Sequence, residues 1–229
     1  MHSMFSSCQQ LKKILGIYNT SSVKTIRQCF SGCEALEEIP YFDTSSVTNM
    51  TNAFQNCKAI TTIPELNFSS LADAYQNYGV YGMFNGCTSL KNIPTIPTGN
   101  LEMFNSMFYG CSSLETVPEL NTQKVNNVYT TFNGCSSLKD FGGFLNLGKA
   151  YTRATANYNV YVLDLSACSQ LTHDSLMNVI NKLYDLNLTY NVAGGGTLYT
   201  QTLKIGATNK AKLTAEEIAI ATNKGWSVS

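Results

Sequence analysis

Six evenly spaced cysteines set the frame for this chain. Cys8, Cys33, Cys57, Cys87, Cys111 and Cys135 follow one another at intervals of 25, 24, 30, 24 and 24 residues. Each closes the same phrase, an aromatic three residues before the cysteine and an aliphatic three after it: Phe5 and Leu11, Phe30 and Leu36, Phe54 and Ile60, Phe84 and Leu90, Phe108 and Leu114, Phe132 and Leu138. Three residues further stand Ile14, Ile39, Ile63, Ile93, Val117 and Phe141, and in four units a proline follows: Pro40, Pro64, Pro94 and Pro118. A unit this short cannot bury its own apolar face, so units of this period stack on one another and bury it between them.

Each unit has two halves with different periodicities. Before the cysteine, apolar residues recur at i, i+3 and i+7, as in Val23/Ile26/Phe30, Val47/Met50/Phe54, Leu101/Phe104/Phe108 and Val125/Val128/Phe132. That spacing predicts a short helix or a turn of helix with one buried stripe. Asn19-Thr20-Ser21-Ser22, Asp43-Thr44-Ser45-Ser46 and Asn121-Thr122 precede these stripes and suit its N-cap. After the cysteine, Leu-x-x-Ile-Pro-x-Leu is too short and proline-rich for a helix and reads as an extended piece. Its proline, lacking an N–H, belongs at the strand end. The period and the two halves together predict an α/β fold, a right-handed leucine-rich-repeat solenoid with short parallel strands and short helices.

The interval of 30 carries six extra residues within positions 73–82, where Tyr75, Tyr78 and Tyr81 cluster. In a stack an insertion has to bulge outward. Beyond residue 145 the pattern changes. Leu163 to Thr172 reads as strand and turn, and Leu176, Val179, Ile180 and Leu183 predict a longer helix. Thr197 to Ile205 reads as a strand after the hinge Gly194-Gly195-Gly196. Thr214-Ala215-Glu216-Glu217 satisfies the capping-box pattern and opens a helix to about Lys224, stopped by Gly225. Three regions are therefore expected: the repeat array over 1–145, a larger coil over 146–196, and a strand-helix C-terminal cap over 197–229. Phe5 and Cys8 enter the array with no capping element before them, which predicts a fragment or one domain of a longer protein that continues upstream.

Charged residues are 13% of the chain, and fifteen basic residues cancel fifteen acidic ones. Nucleic-acid binding through counterion release needs a basic surplus. No segment approaches the roughly 18 to 20 apolar residues of a membrane span, and the first residues lack the layout of a signal peptide. The shared slot of the repeat cysteines gives them parallel side chains, which suits buried thiols rather than disulfides. Cys29 and Cys33 have no histidine or second pair to complete a metal site. His173, Asp174 and Ser175 are consecutive and point in different directions, so they form no relay. Neither catalytic residues nor a cofactor or metal is expected.

Surface remains. With Leu and Ile inward, Glu38 and Tyr41, Thr62 and Glu65, Asn92 and Thr95, Thr116 and Glu119 project outward as a polar ribbon, and together with Tyr75, Tyr78 and Tyr81 they are the expected ligand contacts. The phrase from Ile39 to Cys57, Ile-Pro-Tyr-Phe-Asp-Thr-Ser-Ser-Val-Thr-Asn-Met-x-x-x-Phe-x-x-Cys, resembles the repeat of BspA-like leucine-rich-repeat proteins and related bacterial surface lipoproteins over about residues 4 to 141. Leu163 to Leu183 is similar to an ordinary cysteine-containing leucine-rich repeat, and Leu203 to Trp226 to a tail found after such arrays in bacterial and prophage proteins. Pro97 departs from the usual Asp or Asn before the pre-cysteine half. The resemblance implies a secreted or cell-surface protein without catalytic residues that adheres to a protein ligand, such as host extracellular matrix or another cell surface, as in virulence. A second reading is a receptor-recognising component of a phage or prophage tail; a third, from the tyrosines and asparagines, is glycan binding.

Overall fold

Where the spacing predicts helices, the chain makes turns whose hydrogen bonds alternate between its own repeat and the next. A computed structural model describes all residues except 17, 18, 40, 72–78, 126, 150–161 and 190–200. In the second repeat, the N–H groups of Cys29, Ser31 and Cys33 donate three residues back, to the carbonyls of Ile26, Gln28 and Phe30. Those of Ile26, Gln28, Phe30 and Gly32, interleaved with them, donate to Asn49, Thr51, Ala53 and Gln55 of the following repeat. An α-helix would keep every such N–H for itself.

Two left-handed residues per repeat break the helix. The positions two before and two after the phenylalanine have positive φ throughout: Gln28 and Gly32, Asn52 and Asn56, Gly82 and Gly86, Ser106 and Gly110, Thr130 and Gly134. Glycine and asparagine accept this conformation readily. Four residues apart, these positions impose the spacing that mimics a helical stripe. Asn19, Asp43, Asn67 and Asn121 consequently cap turns rather than helices, each side-chain oxygen accepting the N–H two residues on.

Three internal columns run through the repeats. The phenylalanine rings stack face to face: Phe5–Phe30 at 5.3 Å, Phe30–Phe54 at 5.5 Å, Phe54–Phe84 at 5.6 Å, Phe84–Phe108 at 5.9 Å and Phe108–Phe132 at 5.7 Å, all within 10° of parallel. Phe141 ends the column edge-on to Phe132. Six cysteine sulfurs, from Cys33 on Phe5 at 3.0 Å to Cys168 on Phe132 at 3.5 Å, each lie on the carbonyl of the preceding repeat's phenylalanine. This slot suits a small, apolar residue that is still a weak donor. Buried Thr20 and Thr44 each donate to a carbonyl in the next repeat and accept the N–H of the same residue, Asp43 and Asn67, while Thr98 and Thr122 donate to Asn121 and Leu145.

Cys8 departs from its expected inward position. It is exposed, whereas the other seven cysteines are buried free thiols. Burial raises the thiol pKa of Cys33 to about 11 and of Cys111 and Cys168 to about 12. Because the thiolate is the nucleophile, titration of native protein with a thiol reagent is expected to find one fast-reacting cysteine, abolished by Cys8→Ser. Rapid labelling of several thiols in the Cys8→Ser protein would contradict the buried column.

On the extended side before the proline corner, the backbone bonds run the opposite way, from each repeat back to the one before: Ala35 to Gln9, Ala59 to Glu34, Lys91 to Thr61, Glu115 to Lys91 and Lys139 to Glu115. The strands are two residues long. β1 (Thr116–Val117) pairs in parallel with β3 (Asp140–Phe141), and β2 (Leu120–Asn121) with β4 (Phe144–Leu145). Pro118 sits at the corner between β1 and β2, as its missing N–H requires.

At the C-terminal end, β5 (Val162–Asp164), β6 (Gln201–Lys204) and β7 (Trp226–Val228) form one parallel sheet in that order. The expected helices are α1 (His173–Lys182) and α3 (Ala215–Asn223), the latter opened by the predicted capping box; a short α2 (Gly206–Lys210) was not foreseen. Lys224 Nζ donates to the carbonyls of Ile180, Asn181 and Leu183, closing the C-terminus of α1 with a positive charge. Buried Asn209 donates to Leu165, Cys168 and Ile205.

His173, the first residue of α1, joins α1 to α3 through Nε2 at 2.8 Å from Glu217. Hydrogen bonds donated by its ring to the Glu217 and Asp174 carboxylates raise the His173 pKa above its ordinary 6.5. The Thr214 N–H and His173 lower that of Glu217 below its ordinary 4.5. The histidine's contribution is complete below pH 6.5 and disappears as pH rises through its raised value; the glutamate's is complete above pH 4.5 and disappears as pH falls through its lowered value. Glu217→Gln keeps a capping oxygen and removes the charge. Its melting temperature is expected to fall furthest below wild type between pH 4.5 and 6.5, with the gap narrowing at higher pH. A gap independent of pH would show that the pair does not hold the helices together.

Candidate functional site

Parallel pairing fixes which side chains of successive repeats stand side by side. Thr116 pairs with Asn92 on one side and Asp140 on the other, so the residues two after each leucine line up across the stack. Glu38, Thr62, Asn92, Thr116 and Asp140 occupy this position and all are exposed. Tyr41, Glu65, Thr95 and Glu119 occupy the second exposed position, past the proline corner. Tyr41 is 74% exposed. Between them the buried Ile39, Ile63, Ile93, Val117 and Phe141 turn inward.

Ion pairs run along this face. Lys13 meets Glu38 at 2.9 Å, and Lys182 meets Glu119 at 2.7 Å. Lys182 also donates to the Gly142 carbonyl at 2.6 Å, which ties α1 to the edge of the ribbon. Glu65, Asp140 and Asp174 form no ion pair with a lysine or arginine among the described residues, so the face is acidic beyond its paired charges.

Where α1 meets β1 and β3 the ribbon ends in an open groove of about 540 Å³. Thr116, Asp140, Thr172, Asp174 and Asn178 supply its polar groups, and Ile93, Val117, Pro118 and Phe141 its apolar ones. Ser175 lies at its base, accepting the Phe141 N–H at 3.0 Å and donating to the Lys139 carbonyl at 2.9 Å. Its hydroxyl is therefore held by backbone partners, while His173 is engaged by Glu217 and Asp174.

The expected ligand contacts divide into three sets. Glu38, Tyr41, Thr62, Glu65, Asn92, Thr95, Thr116 and Glu119 lie exposed on the extended side. Tyr75 and Tyr78 fall outside the described residues. Tyr81 belongs to the turn half of its repeat, half-buried, its carbonyl accepting the Asn52 N–H. Sequence reasoning stopped the ribbon one repeat early: Asp140 stands two residues after Leu138, in the same relation as Thr116 to Leu114. Asp174 and Asn178 had no such signal, because the groove arises from packing α1 against β3.

Among the described residues, no three histidine, cysteine, aspartate or glutamate side chains converge to hold a metal ion. No described helix is long and apolar enough to cross a membrane. Residues 1–81 match the family described as Mycoplasma protein of unknown function, DUF285. Residues 80–175 match the BspA type leucine-rich repeat region, in six copies. No curated protein and no solved structure matches the chain. This second match lies on repeats whose cysteine, phenylalanine and threonine columns are described above, so residues 80–175 are a BspA-type leucine-rich-repeat region.

Proposed function

We propose that the chain is a non-enzymatic adhesion or protein-binding module, displayed on a bacterial surface or secreted, whose ligand surface is the extended ribbon and the groove at its end. Its repeats form a right-handed solenoid in this reading, with the array over 1–145, the larger coil over 146–196 and the cap over 197–229. Leucine-rich repeats of the BspA type generally serve protein–protein interaction or adhesion. The observation that carries the proposal is the side-by-side register of exposed residues from successive repeats, leading into a groove at α1. A broad surface on a rigid frame needs little reordering on binding. Carboxylates at Glu65 and Asp140, without a lysine or arginine partner among the described residues, and at Asp174, whose one ionisable partner among them is His173, suit basic side chains of a protein partner, and Tyr41 gives amphipathic contact. No observation favours the phage reading.

Surface plasmon resonance against a panel of extracellular-matrix and bacterial surface proteins tests this. A bound partner should be lost at least tenfold by the combined Tyr41→Ala, Thr95→Arg and Asp140→Lys substitutions, at an unchanged melting temperature. Binding that survives them, or no partner in the panel, overturns the proposal.

A further inference from the structure

We propose that the turn face of the repeats, a different surface from the ribbon, is a binding site for neutral carbohydrate. Four segments build it: residues 51–56 (Thr-Asn-Ala-Phe-Gln-Asn), 81–86 (Tyr-Gly-Met-Phe-Asn-Gly), 105–110 (Asn-Ser-Met-Phe-Tyr-Gly) and 129–134 (Tyr-Thr-Thr-Phe-Asn-Gly). In each, the central pair is buried, as with Met107 and Phe108 or Thr131 and Phe132. Of the residues on either side of the pair, Thr51 and Gly82 are buried as well, and the others reach the surface at least in part.

Hydrogen-bond register places those outer residues in columns. Asn52 donates to the Tyr81 carbonyl, Gly82 to Asn105 and Ser106 to Tyr129, which aligns Tyr81, Asn105 and Tyr129. Asn56 donates to Asn85, Gly86 to Tyr109 and Gly110 to Asn133, which aligns Asn85, Tyr109 and Asn133 four residues away. Tyr129 is 66% exposed and Tyr109 43%, whereas the phenylalanines of the same segments are buried.

The chemistry of this face is narrow. The four segments contain no charged residue, and outside the buried pairs they contain no aliphatic side chain beyond the threonine methyls. Apolar contact is available through flat tyrosine rings, which stack on the C–H face of a sugar ring. Polar contact comes from the amides of Gln55, Asn85 and Asn133 and the hydroxyls of Ser106 and Thr130, the oxygen of Asn105 being buried. An amide offers donor and acceptor side by side, the complement of neighbouring sugar hydroxyls. Unlike the ribbon, whose carboxylates suit a basic protein partner, these segments carry no charge, and an acidic ligand would require a cation. Left-handed turns and bonds to both neighbouring repeats hold the backbone that carries the rings and amides, so little backbone order is lost on binding.

The test screens the wild-type protein against soluble neutral hexose and N-acetylhexosamine oligomers, with uronic-acid and sialylated oligomers beside them, and titrates the best neutral binder by saturation-transfer NMR. Tyr109→Ala and Tyr129→Ala should each weaken binding about tenfold or more. Tyr129→Phe, which keeps the ring, should retain most of it, and Asn133→Asp should weaken it. Tyr41→Ala on the ribbon should leave it unchanged, which separates this site from the proposed protein-binding surface. Absence of neutral-oligomer binding at millimolar concentration, binding indifferent to Tyr109→Ala and Tyr129→Ala, preference for the acidic oligomers, or equal loss in Tyr41→Ala would each overturn the proposal.

Discussion

Phe108→Ala is expected to lower the free energy of unfolding by about 3–5 kcal/mol, among the largest effects of any single truncation in this chain. The Phe108 ring is fully buried and lies between two others, 5.9 Å from Phe84 and 5.7 Å from Phe132, within 6° of parallel to each. Removing it forfeits two stacked contacts as well as the transfer of the ring out of water. Collapse of the neighbours into the gap would recover part of the loss, but their backbones are fixed. Phe84 N–H donates to Met107, and Phe108 N–H donates to Thr131, so repeats on both sides are held at their spacing. Phe5→Ala is the internal comparison, since Phe5 is half-buried and stacks on one neighbour, and its cost should be clearly smaller. Urea unfolding of both variants measures the difference. A loss below about 1 kcal/mol for Phe108→Ala would mean that the aromatic column does not carry the stack.

The phenylalanine column was legible from the sequence because identity at a fixed interval forces equivalent environments, whatever the local backbone does. The local backbone itself was misread for a physical reason. Left-handed residues four apart, such as Gln28 and Gly32, restart the chain every four residues, and the resulting apolar spacing matches a helix closely. The recurrence of Gly or Asn two residues after the phenylalanine, at Gly32, Asn56, Gly86, Gly110 and Gly134, was the available signal for turns. Strand-side orientation was readable from alternation about the buried isoleucines, so Glu38, Thr62, Asn92 and Thr116 were found as exposed neighbours. The groove was not readable. Asp174 reaches it through the docking of α1 on β3, a contact between segments more than thirty residues apart.

Gly142→Ala is expected to destabilise the protein by about 2–3 kcal/mol through backbone overlap alone. In four earlier repeats the corresponding residue is proline, at Pro40, Pro64, Pro94 and Pro118. Proline cannot donate, whereas Gly142 N–H donates to the Val117 carbonyl at 2.9 Å and draws its segment against the previous repeat. A Cβ on Gly142 would lie 2.3 Å from Glu119 N, 2.8 Å from Pro118 C and 2.9 Å from Glu119 Cα. All three are backbone atoms, so no rotamer change relieves the overlap and the segments must separate. That separation strains the pairing of β3 with β1, the Leu120 N–H bond to Gly143 and the Lys182 bond to the Gly142 carbonyl, which together hold the groove. Gly99→Ala is the control: its nearest neighbour is the Asn121 side-chain nitrogen at 3.2 Å, which needs to give by only a few tenths of an ångström while its oxygen keeps the Gln123 N–H, and its cost should stay below about 1 kcal/mol. Denaturation midpoints measure both, and amide chemical shifts in α1 report whether the helix moves with the strand. If Gly142→Ala matched Gly99→Ala in stability, the close approach of the two repeats at this corner would be looser than the geometry requires, and the groove would need another explanation for its shape.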